Sequence, residues 1–338
     1  MEIAAWGHPY SEFPEGKDSP ADYVAAFERM KVAGIDIYIP FVMSHGQHYF
    51  ESELLGAPSR DLLGACMEAG DKVGLEVHPI TGLGAVSAVV AGDGEAAGRY
   101  DPGPDCAELP SWAQNWPCAA WSENRRLTVE VAAGMVRDYK PDGLALDYLR
   151  YPNTAVLDGH PCHCELCQEK RDAWLGKPVP DADDLACPGV AYHEVRMRNR
   201  FVKTLLHSLR EVADDGDIPL SLAARARYVK DAVPEGQDWA EWCREGLLDF
   251  VCPMSYNPCF DRFQRFVTEH RNLLEDTGVP LYSGIGRSSS LGQISAAQMD
   301  QQIRHALEHG ADGVSLFHVG ALGDEDYAVL ARISADYR

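Results

Sequence analysis

Residues 142–152 read Asp-Gly-Leu-Ala-Leu-Asp-Tyr-Leu-Arg-Tyr-Pro, a short apolar run that is followed by a carboxylate. The run has the composition of a buried β-strand, and Asp147 lies at its C-terminal end, with Arg150 and Tyr151 shortly after it. In barrel enzymes the catalytic groups come from the C-terminal ends of the strands. This stretch therefore predicts a strand that presents Asp147 to an active site.

Apolar runs of this kind alternate with amphipathic helical runs along the whole chain. The predicted strands are Ile3–Trp6, Ile35–Val42, Leu75–Ile80, Leu144–Leu149, Pro219–Arg225, Phe250–Met254, Leu281–Ile285 and Val314–His318. Strand–helix alternation predicts an α/β fold with a parallel sheet, and eight units predict a single (β/α)8 TIM barrel over residues 1–338. A doubly wound sheet is the alternative, but the chain contains no Gly-rich phosphate loop of the type G-x-G-x-x-G.

Two of the predicted loops are much longer than a usual connection. Residues 81–122 follow strand 3 and contain four large aromatic residues, and residues 153–190 follow strand 4 and contain a cysteine cluster. The aromatic residues are Tyr100, Trp112, Trp116 and Trp121. Because both loops leave C-terminal strand ends, we expect them to cover the active-site face.

Composition excludes some classes of partner. The chain has 338 residues, of which 46% are hydrophobic, and its formal net charge is −22. Nucleic acids and anionic membranes are therefore not expected as partners, because binding them takes clustered cations. No apolar run approaches the ~18 residues of a transmembrane helix. The sequence shows no signal peptide, which predicts a cytoplasmic protein; an exported form whose leader has been removed is the alternative.

Polar and aromatic residues recur at the predicted C-terminal ends of the strands, and in a barrel they would meet in one mouth. Rings that stack, together with guanidinium and imidazole groups that bond hydroxyls, suit a sugar. We therefore predict a carbohydrate substrate. Its predicted binding residues are Trp6, His8, His45, His78, Arg150, Tyr151, Arg225, Tyr256, Arg287 and His318.

With these residues the chain resembles a glycosyl-hydrolase-like barrel family, formerly a domain of unknown function, whose strand-4 motif is D-G-x-x-x-D-x-x-R-Y-P. The matching positions are Asp142, Gly143, Asp147, Arg150, Tyr151 and Pro152. Weaker family-like runs occur at residues 74–78, 237–239 and 248–256, in the expected order, and the resemblance extends from about residue 3 to residue 330. It implies a glycoside hydrolase whose principal catalytic carboxylate is Asp147, as nucleophile or base.

Glycoside hydrolysis commonly needs a second carboxyl group across the scissile bond. Some family members carry an Asp directly after the strand-4 Asp, but this chain has Tyr148 there. Among the other acids, Asp261 after strand 6 is the preferred candidate, whereas Asp238 resembles a helix cap and Glu76 lies on strand 3. We expect Arg150 to keep Asp147 ionised. A barrel-mouth Asp147 that only pairs with Arg150, and a mechanism assisted by the substrate or a histidine, are the alternatives.

The cysteine cluster reads Cys-His-Cys-Glu-Leu-Cys at residues 162–167, with His160 close before it. Cys162, Cys164 and Cys167 are spaced so that several sulfurs can reach one ion, and Cys187 is the predicted fourth ligand. We predict a structural zinc ion that fixes the long loop, with a disulfide or plain thiols as alternatives. No cofactor is expected to be needed for catalysis.

Two further functions remain open. A metal-dependent hydrolase or isomerase would use His8, His45, His78 and His318 with Asp147, although no H-x-H or H-E-x-x-H pair supports it. A barrel that binds sugar without cleaving it is the other alternative, because the second catalytic carboxylate is not evident.

Overall fold

The computed structural model describes residues 1–44, 46–90, 98–103, 115–152 and 161–338 of the chain. Within these residues, strands and helices alternate. The strands are β1 (Glu2–Gly7), β2 (Ile37–Pro40), β3 (Met43–Ser44), β4 (Gln47–His48), β5 (Glu76–Val77), β6 (Ile80–Thr81), β7 (Leu144–Leu146), β8 (Leu220–Ala224), β9 (Phe250–Pro253), β10 (Tyr282–Gly286), β11 (Ser288–Ser289), β12 (Gly292–Gln293) and β13 (Gly313–Phe317).

The helices lie between the strands, as the sequence pattern predicts. They are α1 (Pro9–Glu12), α2 (Pro20–Val32), α3 (Leu62–Val73), α4 (Leu83–Val90), α5 (Ser122–Tyr139), α6 (Glu165–Leu175), α7 (Ala182–Ala186), α8 (Pro188–Asp215), α9 (Trp239–Arg244), α10 (Phe260–Leu273), α11 (Ala296–Glu308) and α12 (Asp324–Tyr337), with a π-helical turn at Tyr228–Ala232 and a 3-10 turn at Val319–Ala321. No described helix is both long enough and apolar enough to cross a bilayer.

The main strands form two parallel sheets. One has the order β10-β13-β1-β2-β5 and the other the order β6-β7-β8-β9. The two sheets approach each other at both ends, since Val251 of β9 forms a parallel bridge with Leu281 just before β10, and only two residues separate β5 from β6. The predicted α/β fold with parallel sheets is confirmed. Two short antiparallel hairpins, β3-β4 and β11-β12, stand apart from these sheets.

The break between β5 and β6 has a local cause. The sequence predicts one continuous third strand over Leu75–Ile80, but Pro79 lies within it. Proline has no backbone N–H and cannot donate to the ladder of a sheet. The chain nevertheless continues in the same direction, because the Ala145 N–H of β7 donates to the Pro79 carbonyl at 3.1 Å.

Alternate strand residues face two different apolar layers. Ala4 and Trp6 of β1 belong to an inner cluster with residues of the other strands, whereas Ile3 and Ala5 belong to the larger cluster between strands and helices. This alternation follows from the period of two along a strand. Because both faces are covered, the strands are apolar almost throughout.

Several helices begin and end at residues that cap them locally. Ser19 caps α2 in a capping box with Asp22, and Ser295 caps α11 in a capping box with Gln298. Helix α3 ends at Gly74, which has the left-handed conformation that glycine adopts without cost. The position of each helix end determines where the next strand begins. It therefore also determines which residues follow that strand at its C-terminal end.

Candidate active site

Asp147 directly follows β7, and its backbone lies against the segment after β6. Its N–H donates to the Thr81 carbonyl at 3.0 Å. Gly82 passes so close that a Cβ on it would lie 1.9 Å from the carbonyl oxygen of Asp147. Only glycine, which has no Cβ, permits this approach. Gly82 therefore helps to fix where the strand end places the carboxylate.

The Asp147 side chain lines a cavity of about 830 Å³, and the residue is only 7% exposed. Its Oδ1 accepts from the Tyr148 N–H at 2.6 Å, and it forms no ion pair among the described residues. Burial raises the pKa of Asp147 to about 6, against the opposing effects of Arg150, the Tyr148 N–H and Arg225. Arg150 thus favours the charged form as expected, but desolvation is the larger effect. A carboxyl group with this pKa can exchange a proton near neutral pH.

Arg150 and Arg225 share a buried carboxylate that the sequence analysis did not identify. Glu235 Oε2 lies 3.6 Å from Nη1 of Arg150 and 3.1 Å from Nε of Arg225. Burial raises the pKa of Glu235, and the two arginines oppose this. The ion pairs hold both guanidinium groups at the cavity wall, beside Asp147. No sequence signal marks Glu235, because it lies in the irregular segment between β8 and α9.

Aromatic rings form much of the remaining cavity wall. Tyr256 stacks on Phe317 with ring centroids 5.1 Å apart, and Trp6 and Phe41 lie with centroids 6.1 Å apart. Nε1 of Trp6 is buried and has no hydrogen-bond partner among the described residues. Buried donors are normally paired. The wall of the cavity is therefore largely aromatic on this side, and the Trp6 indole N–H is a buried donor without an acceptor among the described residues.

A second aromatic group supports Arg150 from the side of the long loop. The Arg150 guanidinium lies 5.4 Å from the ring centroid of Tyr148 and 5.6 Å from that of Trp116. The Trp116 indole N–H donates to the Arg150 carbonyl at 3.0 Å. Tyr148 has a left-handed backbone, with φ of +54°. Trp116, from the predicted 81–122 loop, is thus part of the site, whereas Trp112 lies outside the described residues.

The cavity contains other carboxylates, but not the predicted one. Asp261 is exposed in the first turn of α10 and does not line the cavity. Asp231 and Glu269 do line it. Asp231 pairs with Arg225 at 3.2 Å and with Arg227 at 2.7 Å, whereas burial raises the pKa of Glu269. Helix α10 therefore faces the cavity, as expected from its place after strand 6. The carboxylate that it contributes is Glu269, two turns beyond Asp261.

The structure separates the predicted histidines. His8 and His318 lie together with ring centroids 4.9 Å apart, and His8 stacks on Phe41 behind the cavity wall. Ligand atoms of both histidines and of Glu12 lie within 4.8 Å of one another. Glu12 itself accepts hydrogen bonds from the His8 N–H and the Tyr38 hydroxyl. His45 lies outside the described residues.

His78 lies at the opposite end of the sheet from Asp147. Its Nε2 is 3.2 Å from Glu76, the first residue of β5, and its ring lies against Gly143, which precedes β7. It is buried and does not line the cavity. His78 thus lies apart from this cavity, because the third strand continues beyond it to Thr81.

Two more predicted binding residues point away from the cavity. Arg287 donates to Asp326 at 2.9 Å and to the Ile294 carbonyl, so it joins β10 to α12 instead. Tyr151 is buried, with its hydroxyl 3.6 Å from Sγ of Cys118. Of the predicted binding residues, those that line the cavity are Trp6, Arg150, Arg225 and Tyr256.

The cysteine cluster gathers behind Tyr151. The sulfurs of Cys162, Cys164 and Cys167 come together with that of Cys118, all within 4.8 Å of one another. Cys187, the predicted fourth member, is instead exposed at the start of α8. The sequence spacing identified the local trio but not Cys118, which lies far earlier in the chain. His160 lies outside the described residues.

Comparison with known proteins identifies the fold but no close relative. No protein-family model matches the chain, and no curated protein matches it. Among solved structures, the glycoside hydrolase domain of PgaB (BpsB) from Bordetella bronchiseptica matches with a TM-score of 0.74 and 14% identity, over 99% of this chain and 97% of that one.

Two other structures match over the same range. Alpha-L-fucosidase isoenzyme 2 from Paenibacillus thiaminolyticus matches with a TM-score of 0.64 and 18% identity, over 99% of this chain and 49% of that one. The catalytic domain of beta-amylase from Paenibacillus polymyxa matches with a TM-score of 0.62 and 12% identity, over 100% and 98%. The chain therefore has a fold found in carbohydrate-cleaving enzymes.

Proposed function

We propose that this chain is a glycoside hydrolase that cleaves a glycosidic bond in a saccharide or glycoside, with Asp147 as its principal catalytic carboxylate. The observation that carries the proposal is a buried carboxyl group at a strand end, in a cavity walled by aromatic rings and guanidinium groups. Aromatic faces suit the apolar faces of sugars, and a carboxyl group with a raised pKa suits proton transfer to or from a glycosidic oxygen. The fold shared with sugar-cleaving enzymes supports the same function.

The proposal includes a closed (β/α)8 barrel over residues 1–338. The two parallel sheets then form two arcs of one barrel, joined at the Val251–Leu281 bridge and at the strand interrupted by Pro79. In that arrangement Asp147 lies at the end where barrel enzymes place their chemistry. The inner apolar cluster fills the barrel below it.

Asp147 acts in this mechanism as the acid–base group, and the second carboxylate comes from the cavity wall. Asp231 is the first candidate because its ion pairs with Arg225 and Arg227 hold it at the cavity wall. Arg225 is also close enough to Asp147 to lower the pKa of that carboxyl group. Glu269 is the alternative. One carboxyl protonates the departing oxygen, and the other attacks the anomeric carbon or activates a water.

Assays with a panel of aryl glycosides and oligosaccharides test the proposal. Wild-type protein should release sugar, and Asp147→Asn should lower kcat/KM by about 10³-fold or more, because loss of acid–base catalysis alone costs 10²–10⁴-fold. The variants Asp231→Asn and Glu269→Gln test the second carboxylate, and Asp261→Asn is the matched control that should retain activity. A limb of the wild-type pH profile near 6 should be absent in the Asp147→Asn variant.

Two results would overturn the proposal. Wild-type protein that binds oligosaccharides but releases no sugar from any of them would indicate a binding barrel. Full activity in the Asp147→Asn variant would remove Asp147 from the chemistry.

A metal-dependent hydrolase is the second candidate, favoured by the convergence of His8, Glu12 and His318. Two imidazoles and one carboxylate form a ligand set that suits divalent transition metals. This candidate predicts that a chelator abolishes activity and that purified protein retains one metal ion after the cysteine cluster is disabled by mutation. Protein that is active and free of metal at this site contradicts it.

A further inference from the structure

We infer that Cys118, Cys162, Cys164 and Cys167 bind a structural Zn²⁺ ion as four thiolates. All four cysteines are buried and free of disulfides. Sγ of Cys118 lies 3.5 Å from Sγ of Cys167 and 3.8 Å from Sγ of Cys162. A disulfide would need about 2.05 Å. A tetrahedron with Zn–S bonds of about 2.3 Å has S···S edges of about 3.8 Å, which matches this spacing.

The surroundings of the four sulfurs suit thiolates. Cys164 is the N-cap of α6 and Cys167 lies in its first turn, where the helix dipole favours negative charge. The Ala120 N–H points to Sγ of Cys118 at 3.5 Å. Arg198, which is buried, interacts electrostatically with Cys162. A tetrathiolate zinc centre carries a net charge of −2, and these groups offset it. On binding, each thiol loses its proton to solvent.

The proposed ion joins two segments that are distant in sequence. Cys118 precedes α5, and the other three ligands lie at the start of α6. Tyr151 packs on Cys118, and Trp116, two residues before Cys118, contacts Arg150. A closed four-ligand site is structural and not catalytic. The ion therefore stabilises the cavity wall that holds Arg150.

Metal analysis of the purified protein tests this inference. We expect one zinc per chain, lost in Cys118→Ser and retained in Cys187→Ser, a matched control because Cys187 is exposed and outside the cluster. Since Cys118→Ser can unfold, a second measurement uses the wild-type protein. The exposed Cys187 and Cys259 should react first with a mercurial reagent without releasing metal, and one zinc should then be released as about four further thiols react. Replacement by Co²⁺ should give the absorption bands of a tetrahedral tetrathiolate.

The inference fails if the purified protein holds no zinc and takes up none, if it holds stoichiometric iron instead, or if Cys187→Ser loses the metal while Cys118→Ser keeps it. None of these results bears on glycoside hydrolysis.

A different observation concerns the charge of the cavity, and it rests on the proposed function. Although the chain has a net charge of −22, the cavity is lined by five arginines against three carboxylates. The arginines are Arg150, Arg225, Arg227, Arg262 and Arg265. Glu235, which is not in the lining, also pairs with Arg150 and Arg225, so the site has a small excess of positive charge in an anionic protein, and this favours anionic ligands.

Two of these arginines have no partner among the described residues. Arg262 and Arg265 lie with Phe266 and Glu269 on the face of α10 that lines the cavity, at i, i+3, i+4 and i+7. No ion pair or side-chain hydrogen bond occupies either guanidinium within the described part of the chain. A guanidinium fork binds carboxylate and sulfate oxygens in pairs. We propose that the substrate is an anionic glycan, with carboxylate or sulfate groups bound by Arg262 and Arg265.

Binding measured by calorimetry at two salt concentrations tests this proposal without turnover. The ligands are uronic-acid oligosaccharides, which carry carboxylates, and sulfated oligosaccharides, which carry sulfates. Neutral oligosaccharides of the same length serve as the reference. We expect at least one charged ligand to bind about 10-fold more tightly than its neutral counterpart. Arg265→Gln should reduce this preference about 10-fold, and Arg126→Gln on α5, outside the cavity lining, should not.

Equal affinity for charged and neutral oligosaccharides overturns the anionic-glycan proposal while leaving glycoside hydrolysis intact. So does an Arg265→Gln variant that binds charged ligands as well as the wild type does. If anionic glycans bind with the expected preference but none is cleaved, the hydrolase function fails and the ligand class stands.

Discussion

Replacing Asp147 by asparagine should stabilise the protein at neutral pH while it removes activity. Burial raises the pKa of Asp147 from 3.8 to about 6. The Tyr148 N–H donates a hydrogen bond to Oδ1 of Asp147, and the amide oxygen of an asparagine can accept the same bond. A rise of about two units, at about 1.4 kcal/mol per unit, corresponds to about 3 kcal/mol. Asparagine has nearly the same shape and no charge to desolvate, so the variant is free of this cost.

The sign of the pH dependence follows from proton binding. Between pH 4 and pH 6 the folded state holds a proton on Asp147 that the unfolded state has lost, so the stability of the wild type falls as pH rises through this window. The full cost is present above about pH 7 and absent below about pH 4. The stability difference between the Asp147→Asn variant and the wild type should therefore grow by up to about 3 kcal/mol across that range.

Urea unfolding of both proteins at several pH values from 4 to 8 measures this difference directly. The upper limit is expected only if water stays excluded from the carboxylate in the folded state, so a gain of 1–3 kcal/mol agrees with the reasoning. A difference that does not change with pH would refute it, as would a wild type more stable than the variant at pH 8. The first result would mean that Arg150 and Arg225 balance the effect of burial, and the second that they outweigh it.

Three other substitutions test the packing around the site and the loop. Gly82→Ala should destabilise the protein by about 2 kcal/mol or more in urea unfolding, because the new Cβ meets a backbone carbonyl, whereas Gly134→Ala in open space on α5 should stabilise it by about 0.5–1 kcal/mol. Glu194→Ala should lower the free energy of unfolding by about 3–5 kcal/mol, because it leaves the buried guanidinium of Arg171 without its carboxylate. Adding Arg171→Met to this variant should recover much of the lost stability in the same urea assay. If it does not, the ion pair is not the cause of the loss. Trp6→Phe should leave thermal stability equal or higher, because it removes a buried donor that has no acceptor among the described residues; a clear loss of stability would contradict this.

The sequence predicted the strands well because their signal is local. Near-continuous apolar runs bounded by polar turns predicted the strands of both parallel sheets, and Asp147 directly follows β7. The capping boxes at Ser19 and Ser295 are local in the same sense, since all their atoms come from four consecutive residues. The third run is divided into β5 and β6 by Pro79, and the fourth strand, predicted to reach Leu149, ends at Leu146.

Residues that depend on long-range packing were harder to predict. Glu235 and Cys118 reach the site from segments with no periodic pattern, and nothing in their neighbours distinguishes them from ordinary loop residues. His78 lies three residues before the end of the third strand, and its ring lies against Gly143 just before the fourth, a contact between strands that composition does not reveal. Asp261 was preferred as the first acid after strand 6, but the face of α10 that meets the cavity is set by helix packing.

The left-handed backbone at Tyr148 has a consequence for how this site can change. Few side chains tolerate that conformation, and aspartate and asparagine are among the residues enriched in it. One base change converts a tyrosine codon into an aspartate codon, so Tyr148→Asp is a direct mutational neighbour of this sequence that keeps the turn intact. The turn therefore gives the protein a one-step evolutionary route between a single carboxylate beside an aromatic ring and two adjacent carboxylates.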